Sequence, residues 1–197
     1  MELKKHILKH LFENRQLSDY QKKLATHGLD VFINDTRNYL IVLLLSLFLD
    51  NITNALYFII SFSILRIHCG GYHAPTKIKC SLIFICIYCL FLFYKHSTVK
   101  KIISFIISLL AFIYIVVNAP MEHIRNKLSE SETKRNKRKS IIISAMLFVI
   151  GFLALLKGTH VYKMFYYSLI SNTVLMIMLK HSKNWRYYNG NKMHDHR

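Results

Sequence analysis

The sequence predicts an all-α integral membrane protein. Hydrophobic residues make up 53% of its 197 residues, yet the formal net charge is +17. Soluble domains rarely combine these two properties, whereas membrane proteins separate them into apolar spans and basic loops. The apolar residues fall into six runs, which are the candidate helices: roughly 38–49, 52–65, 81–94, 102–117, 141–156 and 164–179. We therefore predict one polytopic domain over residues 1–197, with about six short transmembrane or re-entrant helices.

The N-terminal region, residues 1–37, is predicted to be amphipathic. Within residues 1–28, apolar side chains recur at helical spacing and lysines surround them, which favours two short helices. Ser18 begins a stretch that resembles a capping box, and Gly28 is placed to end the second helix. Such helices can lie on an anionic membrane surface or pack against the rest of the protein.

Charge predicts how the apolar runs cross the membrane. Each run is shorter than the ~20 residues of a standard span. Residues 38–65 could form a hairpin, a re-entrant pair or one tilted helix, because Asp50 and Asn51 interrupt them. With six crossings and a cytoplasmic N-terminus, the cytoplasmic regions carry 22 of the 27 Lys and Arg residues. The positive-inside rule therefore places both termini, residues 66–80 and the basic loop 118–140 on the cytoplasmic side of the cell membrane.

The polar stretch between the second and third apolar runs holds the residues best suited to chemistry. Its paired glycines at 70 and 71 permit a tight loop, and Pro75 favours a helix that starts there. Cys80 would then lie in the second turn of that helix. A nucleophilic cysteine needs a base, commonly a histidine. On one straight helix His73 would be about 10 Å from Cys80, so a tight loop is needed to bring the two together.

These residues resemble the accessory gene regulator B family, in which Arg, Gly-Gly-x-His and a Cys seven residues after the His follow one another. The family consists of integral-membrane cysteine endopeptidases that process quorum-sensing pro-peptides of Gram-positive bacteria. By position, the resemblance implies that His73 and Cys80 are catalytic and that Arg66, Gly70 and Gly71 support them. It also implies removal of a C-terminal tail from an autoinducing pro-peptide and formation of a thiolactone or lactone ring through a cysteine thioester, without a cofactor.

Other interpretations of the same stretch were weighed. Cys69 competes with Cys80 for the role of nucleophile, although spacing and helix position favour Cys80. A zinc site of His68, Cys69, His73 and Cys80 has suitable ligand types, but adjacent ligands at 68 and 69 fit structural zinc poorly, so we expect no metal. A small transporter without chemistry is a further alternative, and the near absence of charge within the apolar runs argues against it.

The remaining features concern partners. The basic loop 118–140 can bind anionic headgroups or dock an acidic peptide. Its position between spans argues against nucleic acid, so we expect a pro-peptide and anionic lipids as partners. Whether the site serves one chain or forms in a homodimer stays open. Cys86 and Cys89 form a C-x-x-C inside an apolar helix and are expected to be small buried hydrophobic residues.

Overall fold

The protein is a bundle of α-helices. The computed structural model describes residues 19–49, 52–72, 74, 76–121 and 129–182. Across these ranges there is no β-strand, and the helices are α1 Asp19–Leu49, α2 Ile52–Cys69, α3 Lys77–His96, α4 Lys101–Asn118, α5 Glu130–Leu156 and α6 Tyr162–His181. α1 (from Gly28 onward) and α2 to α5 are long and apolar enough to cross a membrane. The predicted all-α membrane architecture is therefore confirmed.

α6 is the central helix of the bundle. It contacts α2, α3, α4 and α5, and most of its side chains are buried. Several of these buried side chains are polar, and they bond within the bundle. Asn172 Nδ2 donates to the carbonyl oxygens of Ser168 (2.8 Å) and Phe62 (3.3 Å), and Thr173 Oγ1 donates to Ala111 O (3.2 Å). Because its neighbours shield α6, this helix can be less apolar than the others.

Two clusters of buried apolar side chains flank α6. The first lies between α1, α2, α3 and α6 and is rich in aromatic rings, with Phe58 stacked on Phe91 at 5.0 Å between centroids. The second lies between α2, α4, α5 and α6 and includes Leu65, Ile115 and Leu169. The aromatic cluster forms one wall of the cavity described below, through Phe62 and Phe84.

The N-terminal helix differs from the prediction. α1 runs through Gly28, so the prediction that a helix ends there is wrong. A glycine cap needs a left-handed backbone, and Gly28 is not among the glycines with positive φ. α1 and α2 are separate helices that pack against each other, which excludes one continuous helix over 38–65. Residues 1–18, with Ser18 and the first predicted helix, and residues 50–51 lie outside the described residues.

Much of the predicted basic loop is helical. Ser129 Oγ accepts from Glu132 N (3.3 Å) and Glu132 Oε2 accepts from Ser129 N (2.8 Å), which makes a capping box. α5 therefore begins at Glu130, and the basic run from Lys134 to Lys139 lies within its first turns. The sequence Ser-Glu-Ser-Glu carried this signal, but the charge run concealed it. Residues 122–128 of the predicted loop lie outside the described part of the chain.

One cysteine also differs from its predicted environment. Cys86 is exposed on α3, and Cys89 is half-buried. The expectation that both are buried is therefore wrong for Cys86. The reason is that Cys86 lies on a face of α3 that no described part of the chain covers, so a small apolar side chain can face lipid there as readily as a larger one.

Candidate active site

The loop between α2 and α3 holds the predicted site residues. α2 continues to Cys69, so Arg66 is helical rather than part of the loop. At the other end, Thr76 Oγ1 accepts from Lys79 N (3.3 Å) and caps α3. α3 therefore starts two residues later than predicted, at Lys77. His73 and Pro75 lie outside the described residues, so the approach of His73 to Cys80 stays a prediction.

Gly70 joins the loop to the segment that follows α4. It has a φ of 71° and forms a parallel bridge with Met121. Met121 N donates to Cys69 O at 2.9 Å. A Cβ atom on Gly70 would overlap with the carbonyl oxygen of Met121. Only glycine therefore allows both this backbone conformation and this close approach.

Arg66 fastens the loop to α2. Its Nη1 donates to Gly70 O at 2.8 Å, and its Nη2 donates to Tyr72 O. Gly71 has a φ of 130°, and a Cβ atom there would overlap with Nη1 of Arg66. Tyr72 N donates to Leu175 O at 2.9 Å, which ties the loop to α6 as well. The two hydrogen bonds from the Arg66 guanidinium therefore require glycine at position 71, and one of them is accepted by Gly70. These contacts give a physical reason for the residue types at positions 66, 70 and 71.

Cys80 borders a cavity between this loop and four helices. It is the fourth residue of α3, it is half-buried, and its N–H donates to Thr76 O at 3.0 Å. The cavity has a volume of about 50 Å³. Its lining residues come from α1 (Asp35, Asn38, Tyr39), α2 (Phe62, Arg66), the loop (Tyr72, Ala74), α3 (Cys80, Ile83, Phe84, Ile87) and α6 (Leu175).

The two candidate nucleophiles differ in access. Cys69 is fully buried, and its thiol points towards Gly70 O (3.5 Å) and Asn172 Oδ1 (3.7 Å). It does not line the cavity, whereas Cys80 does. A nucleophile has to reach the carbonyl carbon of its substrate, so the geometry favours Cys80 over Cys69.

α1 supplies polar groups that the sequence interpretation missed. Asp35, Asn38 and Tyr39 all face the cavity, and the Asp35 carboxylate interacts electrostatically with Arg66. Their spacing of three and four residues places them on one face of α1, which was the available signal. That signal was overlooked because residues 1–37 were interpreted as a surface-lying region separate from the first apolar run.

Polar contacts also hold α1 against the start of α3. Arg37 Nη2 donates to Ser81 Oγ (2.7 Å) and to Asn34 Oδ1 (2.9 Å). Lys77 and Asp30 form an ion pair at 3.1 Å. The helix that carries Cys80 is therefore positioned by α1.

The zinc interpretation finds no support in the side chains near the loop. Among the described residues, no group of three or more His, Cys, Asp and Glu side chains is arranged to hold a metal ion. His68 Nδ1 lies 3.4 Å from Asn136 Oδ1 of α5, and Cys69 faces Asn172 of α6. Two of the four suggested ligands therefore have other partners.

Comparison with known proteins identifies a family whose sequence pattern matches this chain. The family model described as Accessory gene regulator B matches residues 4–180. A protein of Lactiplantibacillus plantarum described as AgrB-like is 26% identical over 176 residues, which cover 87% of this chain and 86% of that protein. No solved structure matches the chain. The family match supports a role in quorum-sensing peptide processing. Since it extends from the N-terminal region almost to the end of α6, the chain belongs to the accessory gene regulator B family.

Proposed function

We propose that this protein is a membrane-embedded cysteine endopeptidase and cyclase. It removes the C-terminal tail of an autoinducing pro-peptide and closes a thiolactone or lactone ring. The observation that carries the proposal is the position of Cys80, which borders a cavity beside Arg66 while the competing Cys69 is enclosed. Family membership supports peptide processing, and the geometry supports a thiol as the reacting group.

The first step is attack by the Cys80 thiolate on the scissile carbonyl. Cys80 lies close to the N-terminal end of α3, where the helix dipole favours negative charge. Burial and the carboxylate of Asp35 disfavour the thiolate of Cys80, whereas the guanidinium of Arg66 favours it, so a base is needed to take the thiol proton. The C–N bond of the scissile amide breaks, and a thioester between the peptide and Cys80 forms.

His73 is the general base and acid of this step. It takes the thiol proton before attack and gives it to the leaving amine, so the tail departs as a neutral amine. Gly70, Gly71 and Arg66 are positioning residues. They fix the loop at Tyr72, directly before His73, through the two hydrogen bonds from the Arg66 guanidinium.

Ring closure is an exchange at the thioester. A thiol or hydroxyl within the bound peptide attacks the acyl carbon, its proton passes to His73, and the Cys80 thiolate leaves. One thioester or ester replaces another, so the acyl group stays activated and no ATP is needed. A small cavity walled by Phe62, Phe84 and Leu175 limits the water that would otherwise hydrolyse the intermediate.

The site lies in the cell membrane, with both termini and the loop at the cytoplasmic face. The basic run from Lys134 to Lys139 at the start of α5 provides side chains for anionic headgroups at that face. Co-expression of two differently tagged copies, followed by affinity capture, would test for the homodimer that the sequence leaves open.

A trapped intermediate tests the mechanism. The chain is co-expressed with an autoinducing pro-peptide in which the ring-forming Cys or Ser is replaced by Ala. The tail should be lost and the truncated peptide should stay on Cys80 as an adduct that hydroxylamine removes. Cys69→Ala should form the same adduct, and His73→Ala should form much less of it.

Three outcomes would contradict parts of the proposal. Tail release without a hydroxylamine-sensitive adduct, even at short times, would leave only a hydrolase. An adduct that survives Cys80→Ala but not Cys69→Ala would move the nucleophile to Cys69. Absence of tail loss in the unmodified pair would refute the peptidase and favour a transporter.

A further inference from the structure

We propose that Asn38 is a substrate-binding residue whose side-chain carbonyl oxygen accepts a hydrogen bond from a backbone N–H of the peptide that Cys80 attacks. The inference rests on the proposed peptidase function and adds a specific contact to it. Nothing in the family motif includes Asn38, which lies on α1, far from the loop in sequence. The structure brings the two together at the cavity.

The side chain of Asn38 is buried and incompletely bonded. Only 2% of Asn38 is exposed, and its Oδ1 has no hydrogen-bond partner within the part of the chain that the structure describes. A buried acceptor without a donor destabilises a protein by roughly 1–3 kcal/mol. Asn38 is therefore in an unfavourable position unless another molecule supplies the donor.

Other buried asparagines of the same bundle are satisfied. Asn34, one turn earlier on α1, accepts from Arg37 Nη2 at 2.9 Å. Asn172 of α6 donates to two carbonyl oxygens and accepts from the Cys69 thiol. The unsatisfied oxygen of Asn38 is thus not a general property of buried asparagine in these helices.

The chemistry of the cavity indicates which donor arrives. The α1 wall of the cavity carries Asn38 and Asp35, whose side chains contain acceptor oxygens, while Arg66 and Cys80 lie on the other walls. A peptide group is trans and carries its N–H opposite its C=O. A peptide that directs carbonyl groups towards Cys80 and Arg66 therefore directs N–H groups towards α1.

The test combines a variant of the protein with a change in the peptide. Asn38→Leu keeps the size of the side chain and removes its oxygen. A series of pro-peptides replaces single amides near the scissile bond by esters, each of which lacks one N–H donor. Tail release is measured as kcat/KM with the purified chain in lipid vesicles, and thermal unfolding is measured in parallel.

Specific changes in kcat/KM and in the unfolding temperature are expected when the variant is combined with the ester peptides. Asn38→Leu should lower kcat/KM by roughly 3- to 10-fold, which is the contribution of one neutral hydrogen bond. At one position of the peptide, the ester should lower kcat/KM of the unaltered chain by a similar factor. The same ester should not lower kcat/KM of Asn38→Leu any further. The unfolding temperature of Asn38→Leu should be equal or higher, because a buried unsatisfied oxygen is gone. A residue with a purely structural role would show the opposite change in stability.

Controls separate this inference from its alternatives. Ser46→Ala removes a buried polar group on the same face of α1, bonded to Leu43 O at 2.7 Å and away from the cavity, and should leave kcat/KM unchanged. Asn38→Ala repeats the cycle if the leucine variant does not fold. Asn38→Asp keeps an acceptor and should retain the sensitivity to the ester.

Two results would overturn the assignment of Asn38. One is a wild-type kcat/KM in Asn38→Leu, and the other is an ester effect that is equal in the unaltered chain and in Asn38→Leu at every position. Failure of the peptidase proposal would look different. Tail release would then be absent from the unaltered chain or would survive Cys80→Ala, whatever the behaviour of Asn38.

Discussion

Replacement of Gly71 by alanine should strongly reduce peptide processing, because the added methyl group displaces Arg66. Gly71 has a φ of 130°, a conformation that costs an alanine about 1–3 kcal/mol. The Cβ atom would also overlap with Nη1 of Arg66, which donates to Gly70 O. Each hydrogen bond from a charged donor that is lost contributes about 1.5–3 kcal/mol.

The combined effect on the loop is therefore at least about 2.5 kcal/mol, which lowers the equilibrium constant that favours the native loop by roughly 70-fold. Tail release from the pro-peptide should fall by up to that factor. Hydrogen exchange provides an independent measure of the same change. The Tyr72 N–H, which is bonded to Leu175 O at 2.9 Å, should lose its protection in Gly71→Ala.

Substitution of two other glycines distinguishes the effect of backbone strain from that of steric overlap. Gly158 has a φ of 70° but nothing within 4 Å of an added Cβ, so Gly158→Ala should lose about 1–2 kcal/mol of stability and keep its activity. Gly28 has neither a positive φ nor a neighbour within 4 Å, so Gly28→Ala should stabilise α1 by about 0.5–1 kcal/mol. Processing by Gly71→Ala within about 3-fold of the unaltered chain would refute the reasoning that Arg66 must hold the loop.

Three further predictions concern the thiols, the far end of α3 and the topology. Cys80→Ser should abolish tail release, whereas Cys69→Ser should process the pro-peptide within about 3-fold of the unaltered chain, because only Cys80 borders the cavity; equal losses in single-turnover assays would contradict this. Lys163→Met should lower the free energy of unfolding in detergent by about 2–4 kcal/mol. The buried ammonium of Lys163 donates to the carbonyl oxygen of Lys95 in the last turn of α3 (2.8 Å) and to that of Ser97 just after it (2.7 Å). An unchanged unfolding curve would show that these hydrogen bonds are replaceable. In intact cells a membrane-impermeant maleimide should label Thr159→Cys but not Ser131→Cys, and the reverse pattern would invert the topology.

The helices could be predicted from the sequence because the apolar runs are long and well separated. The N-terminal extents of α1 and α5 could not. The basic run after Thr133 was interpreted as a loop although Ser129 and Glu132 form a capping box, because a cluster of like charges usually indicates exposed, irregular chain. The expected helix end at Gly28 failed for a related reason. A glycine ends a helix only when its backbone turns left-handed, and the sequence alone does not reveal φ.

The candidate site, too, could be predicted from the sequence only in part. The motif named the loop glycines, Arg66 and Cys80, and the structure supplies physical reasons for the glycines and the arginine through their contacts. The α1 wall could not be found from a local motif, because Asn38 and Cys80 meet only through packing of α1 against α2 and α3. Polar residues at a helical spacing inside an apolar run were the available indication, and they are informative because such residues are costly in a membrane.

The two halves of the site are held by different helices, and this has a mechanical consequence. The loop is fixed to α2 by Arg66 and to α6 through Leu175, whereas the start of α3 with Cys80 is fixed to α1 by the bond from Arg37 to Ser81. The distance between thiol and loop therefore depends on how α1 and α3 pack against α2 and α6. In the proposed mechanism the peptide bonds to α1 and reacts with Cys80 of α3, whereas the loop that ends at Tyr72 is held by α2 and α6. Contacts between α1 and α3 would therefore control the geometry of the proposed reaction, even where they lie away from the reacting atoms.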